Sequence, residues 1–280
     1  MSKKPYLNVG CGSKYHVDWT NIDMKSSSAH VQAHNLLQGF PYRSDCFEAV
    51  YHSQVLEHFP REKAPGFLGE CLRVLKPRGI IRVVVPDLEN IAKEYLGHLA
   101  ENLEHPSELA RANYDWIMLE LYDQTVRDRS GGRMAEFLSQ PGLVNESYVL
   151  TRSGRVARGI IEKSRSRLGV PEPAKRRRPY ILRTIKKIRR YASRRFTGHP
   201  LIQAVEIGRF RLGGEIHLWM YDRFSLSELL KEVGFEDIRV VSPYESSIPE
   251  WDKYELDVRD GNVCDPCSLF MEAVKPPVPA

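Results

Sequence analysis

The chain has 280 residues, of which 42% are apolar and 28% are charged. This is the composition of an ordinary soluble globular protein, with enough length for one sizeable domain and an insertion, or for two modest domains. Its N-terminus lacks an apolar run of signal-peptide length, and no uninterrupted apolar stretch reaches the 18 residues of a membrane span. We therefore expect a cytoplasmic protein. Five scattered cysteines predict no disulfide framework, and the single C-D-P-C pair at 264–267 lacks the second pair of a zinc site.

The net charge of +5 is unevenly distributed. Residues 152–197 contain 17 Lys and Arg residues but only two acids, Glu162 and Glu172, which gives this segment a charge of +15 and leaves −10 for the rest of the chain. An acidic body therefore carries one basic segment, and that segment needs its own explanation.

Strand and helix patterns alternate over the first 90 residues. Short strands are predicted at Y-L-N-V-G, T-N-I-D, H-V-Q-A-H-N and F-E-A-V-Y-H-S, the last followed by a helix in A-P-G-F-L-G-E-C-L-R-V-L-K-P-R-G. Residues 79–86, G-I-I-R-V-V-V-P, are a nearly uninterrupted β-branched run, typical of a strand buried on both faces. This alternation predicts a parallel sheet with helices on its faces.

The second half of the chain is less regular until residue 214. L-E-N-I-A-K-E-Y-L-G-H-L-A-E-N-L-E and the segment from residue 108 to 128 predict two helices. Further on, Ser225 and Glu228 predict a capping box, Gly234 ends that helix, and E-D-I-R-V-V-S-P and S-L-F-M-E-A-V-K predict two strands. We therefore expect a core formed by residues 1–90 and 214–280, and a helical, basic insertion at 91–213.

The first predicted strand ends in a glycine-rich turn that indicates a nucleotide-like ligand. Gly10 and Gly12 let the backbone approach a ligand, and Asp23 at the end of the second strand can accept both hydroxyls of a ribose. A dinucleotide motif would have a third glycine, where this chain has Tyr15, and an acid about 20 residues on. Asp23 follows Gly12 by only 11 residues. A ribose-containing cofactor without a pyrophosphate remains, and S-adenosylmethionine is the leading example.

An ordered set of motifs resembles the class I S-adenosylmethionine-dependent methyltransferases: L-N-V-G-C-G, N-I-D, F-E-A-V-Y-H-S-Q-V-L-E-H-F, L-R-V-L-K-P-R-G-I-I-R-V-V-V-P-D and L-L-K-E-V-G-F. The chain is most similar to the bacterial group found beside glycosyltransferases in polysaccharide and natural-product clusters. The resemblance covers residues 5–90 and 214–275. It implies an α/β Rossmann-like fold with a seven-stranded, mostly parallel sheet, an antiparallel last strand and an insertion between the fifth strand and the late helix.

The resemblance also implies a set of cofactor contacts. These are Gly10, Cys11 and Gly12 at the methionine and ribose, Asp23 at the ribose hydroxyls, Asn35 and Leu36 at the adenine, and His52 and Ser53 at the methionine end. The chain departs from the family pattern in three places: Asn35 replaces an Asp, Arg78 replaces a glycine, and the first crossover helix is nearly absent. Because that helix is short, we expect the insertion to cover part of the cofactor.

Candidate catalytic groups are the histidines and acids near the carboxyl ends of the strands. A hydroxyl nucleophile needs a base or a metal ion, because its own pKa is too high. We consider His217 in H-L-W-M-Y-D, His58 in V-L-E-H-F, and Asp87 directly after the fifth strand; a structural role for either histidine remains open. No cluster of acids can be assembled from the sequence, so we predict no metal. H-S-Q-V after the fourth strand lacks the Asn/Asp-Pro-Pro-aromatic signature of amino methylation in DNA.

The basic segment permits three interpretations. Residues 178–196 place apolar residues on one helical stripe surrounded by Arg and Lys. Such a helix can be a solvated lid on its own domain, which we favour, can lie on an anionic membrane as an enzyme for lipid-linked substrates requires, or can contact nucleic-acid phosphates. Our interpretation is an O-methyltransferase for a saccharide-containing or other small polar acceptor, with RNA methylation and non-catalytic cofactor binding as the alternatives.

Overall fold

The computed structural model describes residues 4–168 and 200–278. Its main element is a seven-stranded sheet with the order β3-β2-β1-β4-β5-β9-β6. The strands, numbered along the chain, are β1 Tyr6–Val9, β2 Thr20–Asp23, β3 Val31–Ala33, β4 Phe47–Ser53, β5 Leu75–Pro86, β6 Glu236–Val240 and β9 Ser268–Val274. Neighbouring strands from β3 to β5 run parallel, and β9 is antiparallel to both β5 and β6. The fold class predicted from the sequence is confirmed.

Helices fill the connections that the sequence patterns indicate. They are α1 Ala64–Val74, α2 Leu88–Glu104, α3 Glu108–Val126, α4 Gly132–Leu138, α5 Glu146–Leu168, α6 Pro200–Arg211 and α7 Arg223–Val233. A small hairpin of β7 Val258–Arg259 and β8 Asn262–Val263 precedes β9. Among the residues that the structure describes, no helix combines the length and apolar character needed to cross a membrane.

The start of α7 differs from its prediction. The capping box is formed by Asp222, whose Oδ1 accepts the backbone N–H of Ser225 at 2.7 Å, and by the Ser225 hydroxyl. The predicted pairing of Ser225 with Glu228 is therefore wrong, because the helix begins earlier and places Ser225 at its third position. Its end at Gly234, which adopts φ +105°, is confirmed.

Different structures cover the two faces of the sheet. On one face, α1 and α7 bury apolar side chains such as Phe67, Leu68 and Leu226 against the strands. On the other, the segment after β6 contributes an aromatic cluster that includes Trp251 and Tyr254. Within this second face the guanidinium of Arg82 is fully buried between two carboxylates, at 2.7 Å from Asp257 and 2.9 Å from Glu272. These contacts hold the sheet rigid beneath its carboxyl edge.

The connection between β1 and β2 contains no helix, as the sequence predicts. Two buried amides hold this loop instead. The side chain of Asn8 donates to the carbonyl of Lys14 at 2.9 Å, and that of Asn21 donates to the carbonyl of His16 at 3.0 Å. A short loop fixed at both ends therefore takes the place of the first crossover helix.

The helices between β5 and α7 have a core of their own. Trp116 of α3, Leu138 of α4, and Val149 and Ala157 of α5 are buried together. Helix α5 is kinked at Gly154, whose φ of +52° permits close packing against Pro266 near the start of β9. The predicted amphipathic helix at 178–196 falls at residues outside the described ranges.

Candidate active site

The glycine turn after β1 closes onto the end of β2. The N–H of Gly10 donates to the carbonyl of Ile22 at 2.8 Å, and the N–H of Gly12 donates to Oδ2 of Asp23 at 2.9 Å. Gly10 has φ +66°, and a Cβ there would stand 2.5 Å from Cγ2 of Val55. Gly12 has φ +53°, and a Cβ there would meet nothing within 4 Å. Gly10 is thus a packing position, whereas Gly12 borders open space.

The turn and the acid fit an adenosine-containing cofactor. Asp23 is only partly buried at the carboxyl end of β2, and each of its oxygens keeps a lone pair beyond the backbone N–H that it accepts. Asn35 caps the short turn after β3 by accepting the N–H of Leu37 at 3.0 Å, which leaves its amide nitrogen as a donor. Cys11 and Leu36 are buried, and burial raises the pKa of the Cys11 thiol to about 12. Cys11 and Leu36 therefore act as apolar packing groups beside these polar contacts.

His52 and Ser53, the two cofactor contacts predicted at the end of β4, point to opposite faces of the sheet. Ser53 lies on the cavity side, with its hydroxyl 3.5 Å from Oδ2 of Asp265. The His52 side chain is fully buried on the other face, where its ring meets Phe67 edge-on at 5.1 Å, and its two nitrogens have no hydrogen-bond partner within the described ranges. Burial lowers the pKa of His52 to about 3. Alternation along the strand thus turns the His52 side chain into the core, and a contact of the His52 backbone with the cofactor stays a prediction.

A cavity of about 430 Å³ lies at the carboxyl edge of the sheet, between the strand ends and helices α3 to α5. Its apolar wall includes Ile91, Trp116, Met134, Leu138, Val156 and Ile160. Its polar wall includes Gln54, Gln124, Arg127, Arg152, Asp265 and Glu120. In open α/β sheets ligands bind at this edge, so the cavity is a candidate acceptor site.

His58 and His217 lie together in the wall of this cavity. The short turn that contains His58 follows β4, and the segment before α7 is tied to it: the Glu57 carbonyl accepts the N–H of Leu218 at 2.7 Å, and His58 Nδ1 lies 3.0 Å from the carbonyl of Ile216. The two imidazole rings meet edge-on with centroids 4.9 Å apart. The structure thus brings together the two histidines considered from the sequence.

Both histidines are held in the neutral form. Burial lowers the pKa of His58, and burial together with the neighbouring His58 and Arg127 lowers that of His217 to about 3. A carbonyl oxygen can only accept, so Nδ1 of His58 carries the proton and its Nε2 has a free lone pair. Neutral imidazoles at a cavity wall can accept a proton or bind a cation.

Glu57 is a functional candidate that sequence analysis did not select. Its side chain is fully buried, burial raises its pKa to about 8, and neither carboxylate oxygen has a hydrogen-bond partner within residues 4–168 and 200–278. Ligand atoms of Glu57, His58 and His217 all lie within 4.8 Å of one another. The family motif contains this acid, but only the folded chain reveals that its buried carboxyl group lacks a hydrogen-bond partner within the described residues.

Asp87 has a structural role that the sequence did not predict. Its Oδ1 accepts the N–H groups of Glu89 and Asn90 at 3.0 and 3.3 Å, which makes it the N-cap of α2. It is not among the residues that line the cavity, although Pro86 beside it is. An acid at the end of a strand is thus also the first residue of a helix cap, and a substrate contact at Asp87 stays a prediction.

Comparison with known proteins supports the class that this fold and turn define. Residues 7–83, from β1 into β5, match the family described as "Methyltransferase domain". No curated protein matches the chain in sequence. With the sheet order and the antiparallel β9, the match supports a class I S-adenosylmethionine-dependent methyltransferase domain. S-adenosylmethionine is its cofactor, and the contacts of Gly10, Gly12 and Asp23 with it stay a prediction.

Several solved structures are similar over nearly the whole chain. A Haloferax volcanii protein in complex with the Trm112 methyltransferase activator is 10% identical, with 97% of this chain and 82% of that chain covered and a TM-score of 0.38. A SAM-dependent methyltransferase from Methanosarcina mazei is 15% identical, with 97% and 92% covered and a TM-score of 0.38. A SAM-dependent methyltransferase from Thermotoga maritima is 11% identical, with 96% and 81% covered and a TM-score of 0.38. The class assignment depends on the family match and the strand order, not on these distant neighbours.

Proposed function

We propose that the protein methylates a hydroxyl oxygen of a small polar, saccharide-containing acceptor. The observation that supports this most strongly is the cavity of about 430 Å³ beside the end of β4, with His58 and His217 in its wall. This volume lies within the usual range for small-molecule sites, roughly 300–1,000 Å³. It suits a small acceptor or one end of a longer glycan.

The lining of the cavity suits a sugar. Gln54 and Gln124 offer amide groups that can donate to and accept from hydroxyls, while Ile91 and Val156 offer apolar surface for the C–H faces of a ring. The two arginines in the wall are already paired: Arg127 lies 3.2 Å from Asp123, and Arg152 lies 2.6 Å from Glu120. The lining therefore favours a polar acceptor over one that brings several negative charges.

The two histidines are the groups best placed to activate the acceptor oxygen. S-adenosylmethionine supplies a methyl group on a sulfonium, and the protein must orient the acceptor and make its oxygen nucleophilic. A hydroxyl pKa is far above neutral, so activation needs a base or a metal ion next to the oxygen. His217 is buried, neutral and at the cavity wall, as this role requires.

RNA is the alternative acceptor, because the basic segment at residues 152–197 could contact its phosphates. In the described part of that segment, the guanidinium of Arg152 is buried against Glu120, and Arg165 pairs with Glu146. The buried guanidinium of Arg152 is therefore not presented to phosphates, whereas Arg165 is half exposed. The proposal of a saccharide acceptor includes contact of the basic segment with an anionic membrane, which a lipid-linked saccharide would require.

The test is methyl transfer from radiolabelled S-adenosylmethionine to a panel of acceptors. The panel contains free oligosaccharides, sugar nucleotides, lipid-linked saccharides, and transfer and ribosomal RNA. We expect label in a saccharide, stable to mild alkali as an ether is, strongly reduced in His217→Ala, and retained in the control His105→Ala, which removes an exposed histidine at the end of α2. Label found only in RNA, and lost on deletion of residues 169–197, would contradict the proposal.

A further inference from the structure

The carboxylate of Glu57 is buried without compensation. Its side chain is 0% exposed, and neither oxygen has a hydrogen-bond partner among the residues described. Removing a carboxylate from water without a partner costs several kcal/mol, so buried carboxylates in proteins are normally paired or bind a cation. The backbone of the same residue is fully used, because its carbonyl accepts the N–H groups of Leu218 and Trp219 at 2.7 and 3.2 Å. The fold holds this side chain in place while leaving both of its oxygens without a hydrogen-bond partner among the residues described.

Two imidazoles complete a set of three donors around this carboxylate. One ligand atom each from Glu57, His58 and His217 lies within 4.8 Å of the other two. Within the described ranges, no hydrogen bond or ion pair joins any two of these side chains, so they are neighbours that do not satisfy one another. Three ligands that share an ion at about 2.0–2.2 Å stand about 3–4 Å apart. Small side-chain rotations would bring this set to that spacing.

The surroundings orient the set as they do around bound metals. The carbonyl of Ile216 accepts from Nδ1 of His58 at 3.0 Å, which fixes the ring and turns the lone pair of Nε2 away from that contact. A metal-bound histidine typically donates its other N–H to a carbonyl or carboxylate in this way. The same segment carries His217 and is clamped to the turn that holds Glu57. Backbone contacts therefore position all three donors before any ligand binds.

We propose that Glu57, His58 and His217 bind a divalent transition-metal ion in the wall of the cavity. Two imidazole nitrogens and one carboxylate suit Mn²⁺, Fe²⁺, Co²⁺ or Zn²⁺, whereas Mg²⁺ and Ca²⁺ prefer oxygen donors throughout. Because His58 and His217 line the cavity, the remaining coordination positions face the space assigned to the acceptor. An acceptor hydroxyl on the ion would lose its proton to water more readily, as metal-bound water does.

The role of the ion in activating the acceptor hydroxyl depends on the proposed function. Binding of the ion to Glu57, His58 and His217 does not. No metal is predicted from the sequence, because the sequence shows no cluster of acids and His217 lies far along the chain from the V-L-E-H-F motif. Only the clamp between the turn after β4 and the segment before α7 brings the three together.

Cation binding is tested by adding Co²⁺ to the full-length protein after treatment with a chelator. We expect one Co²⁺ per chain, with visible absorption bands from nitrogen and oxygen ligands, and at least tenfold weaker binding in Glu57→Gln and in His217→Ala. The matched control is His98→Ala, because His98 also lies beside two glutamates, Glu94 and Glu101, on α2 and should not contribute. Absence of Co²⁺ binding to the wild-type protein, or equal binding in Glu57→Gln, would overturn the proposal.

Activity assays separate this inference from the proposed function. If the ion acts on the acceptor, the chelator should abolish methyl transfer to the saccharide, and Co²⁺, Mn²⁺ or Zn²⁺ should restore it where Mg²⁺ does not. Undiminished transfer by the metal-free protein would refute the role of the ion in methyl transfer and leave His217 as a direct proton acceptor. Co²⁺ binding through Glu57 without methylation of any saccharide would support the site and contradict the proposed acceptor.

Discussion

The ammonium group of Lys14 and the carboxylate of Asp265 form an ion pair that joins the glycine turn to the wall of the cavity. Lys14 belongs to the loop between β1 and β2, and Asp265 precedes β9. Ser53 at the end of β4 lies against the same carboxylate. Opposite charges thus meet where the cofactor turn adjoins the proposed acceptor site.

We predict that this pair binds the amino-acid end of the cofactor. The ammonium and carboxylate of a methionine moiety can exchange partners with Asp265 and Lys14 and keep every charge paired. Lys14→Met and Asp265→Asn should weaken binding of S-adenosylhomocysteine about tenfold or more, as loss of about 1.5–3 kcal/mol implies. Binding of 5′-methylthioadenosine, which lacks the amino-acid end, should hardly change. Calorimetric titration of both ligands measures these affinities, with Lys25→Met as the control at an exposed lysine. Equal losses of affinity for the two ligands would mean that the Lys14–Asp265 ion pair has a purely structural role.

The two glycines of the turn should respond differently to alanine. Gly10→Ala combines an unfavourable φ with a contact of 2.5 Å to Val55, whereas Gly12→Ala has the φ alone. We expect Gly10→Ala to lower the free energy of unfolding by more than the roughly 1–2 kcal/mol of left-handed backbone strain, and Gly12→Ala by about that amount. Val55→Ala should recover part of the loss in Gly10→Ala. Thermal denaturation of Gly10→Ala, Gly12→Ala, Val55→Ala and the double variant Gly10→Ala/Val55→Ala measures these effects. The packing argument would be refuted if the double variant were no more stable than Gly10→Ala.

His52 should make the stability of the protein sensitive to acid. In the fold its pKa is lowered to about 3, whereas in the unfolded chain it is about 6.5. The contribution of the neutral His52 to the free energy of unfolding is complete above the pKa of the unfolded chain. It is lost as the pH falls from that pKa toward 3, by about 1.4 kcal/mol per pH unit. The free energy of unfolding, measured in urea at about pH 7.5 and about pH 5, should fall further in the wild-type protein than in His52→Leu. Equal decreases would show that this imidazole is not buried as the structure has it.

The pair of Arg152 and Glu120 should stabilise the insertion and should not contribute to nucleic-acid binding. Both side chains are at least nine-tenths buried, with Nη2 of Arg152 2.6 Å from Oε2 of Glu120. Arg152→Ala leaves the buried carboxylate with no cation beside it and only the indole N–H of Trp116 as a donor, which should cost about 3–5 kcal/mol of unfolding free energy in chemical denaturation. Arg155→Ala removes a half-exposed arginine from the same helix, α5, and should change stability by less than about 0.5 kcal/mol. A stable Arg152→Ala variant with weakened RNA binding would favour the alternative acceptor.

The strands and the cofactor turn could be predicted because their signals are local. Alternating apolar runs define β1 to β5, and the short spacing from Gly12 to Asp23 reflects a crossover without a helix. Prediction was incomplete where one residue carries two signals. Asp87 ends a strand and also caps a helix, and Ser225 begins one capping motif in the sequence but completes another in the fold.

The cavity wall could not be predicted, because its residues are brought together by distant contacts. The alternation of side chains along β4 is enough to predict that His52 points into the core. It cannot show that the carboxyl group of Glu57 lacks a hydrogen-bond partner within the described residues. Asp265 meets Lys14, and His217 meets His58, only through the return of the chain from the insertion.

The most direct test of the account is calorimetric titration of S-adenosylhomocysteine into the wild-type protein and into Asp23→Ala. We predict binding of one ligand per chain, weakened roughly tenfold to a hundredfold in Asp23→Ala because hydrogen bonds to a carboxylate contribute about 1.5–3 kcal/mol. Asp18→Ala removes an exposed acid from the same loop and should bind like the wild-type protein. No binding to the wild-type protein, or equal affinity in Asp23→Ala, would contradict the assignment of this edge of the sheet as the cofactor site.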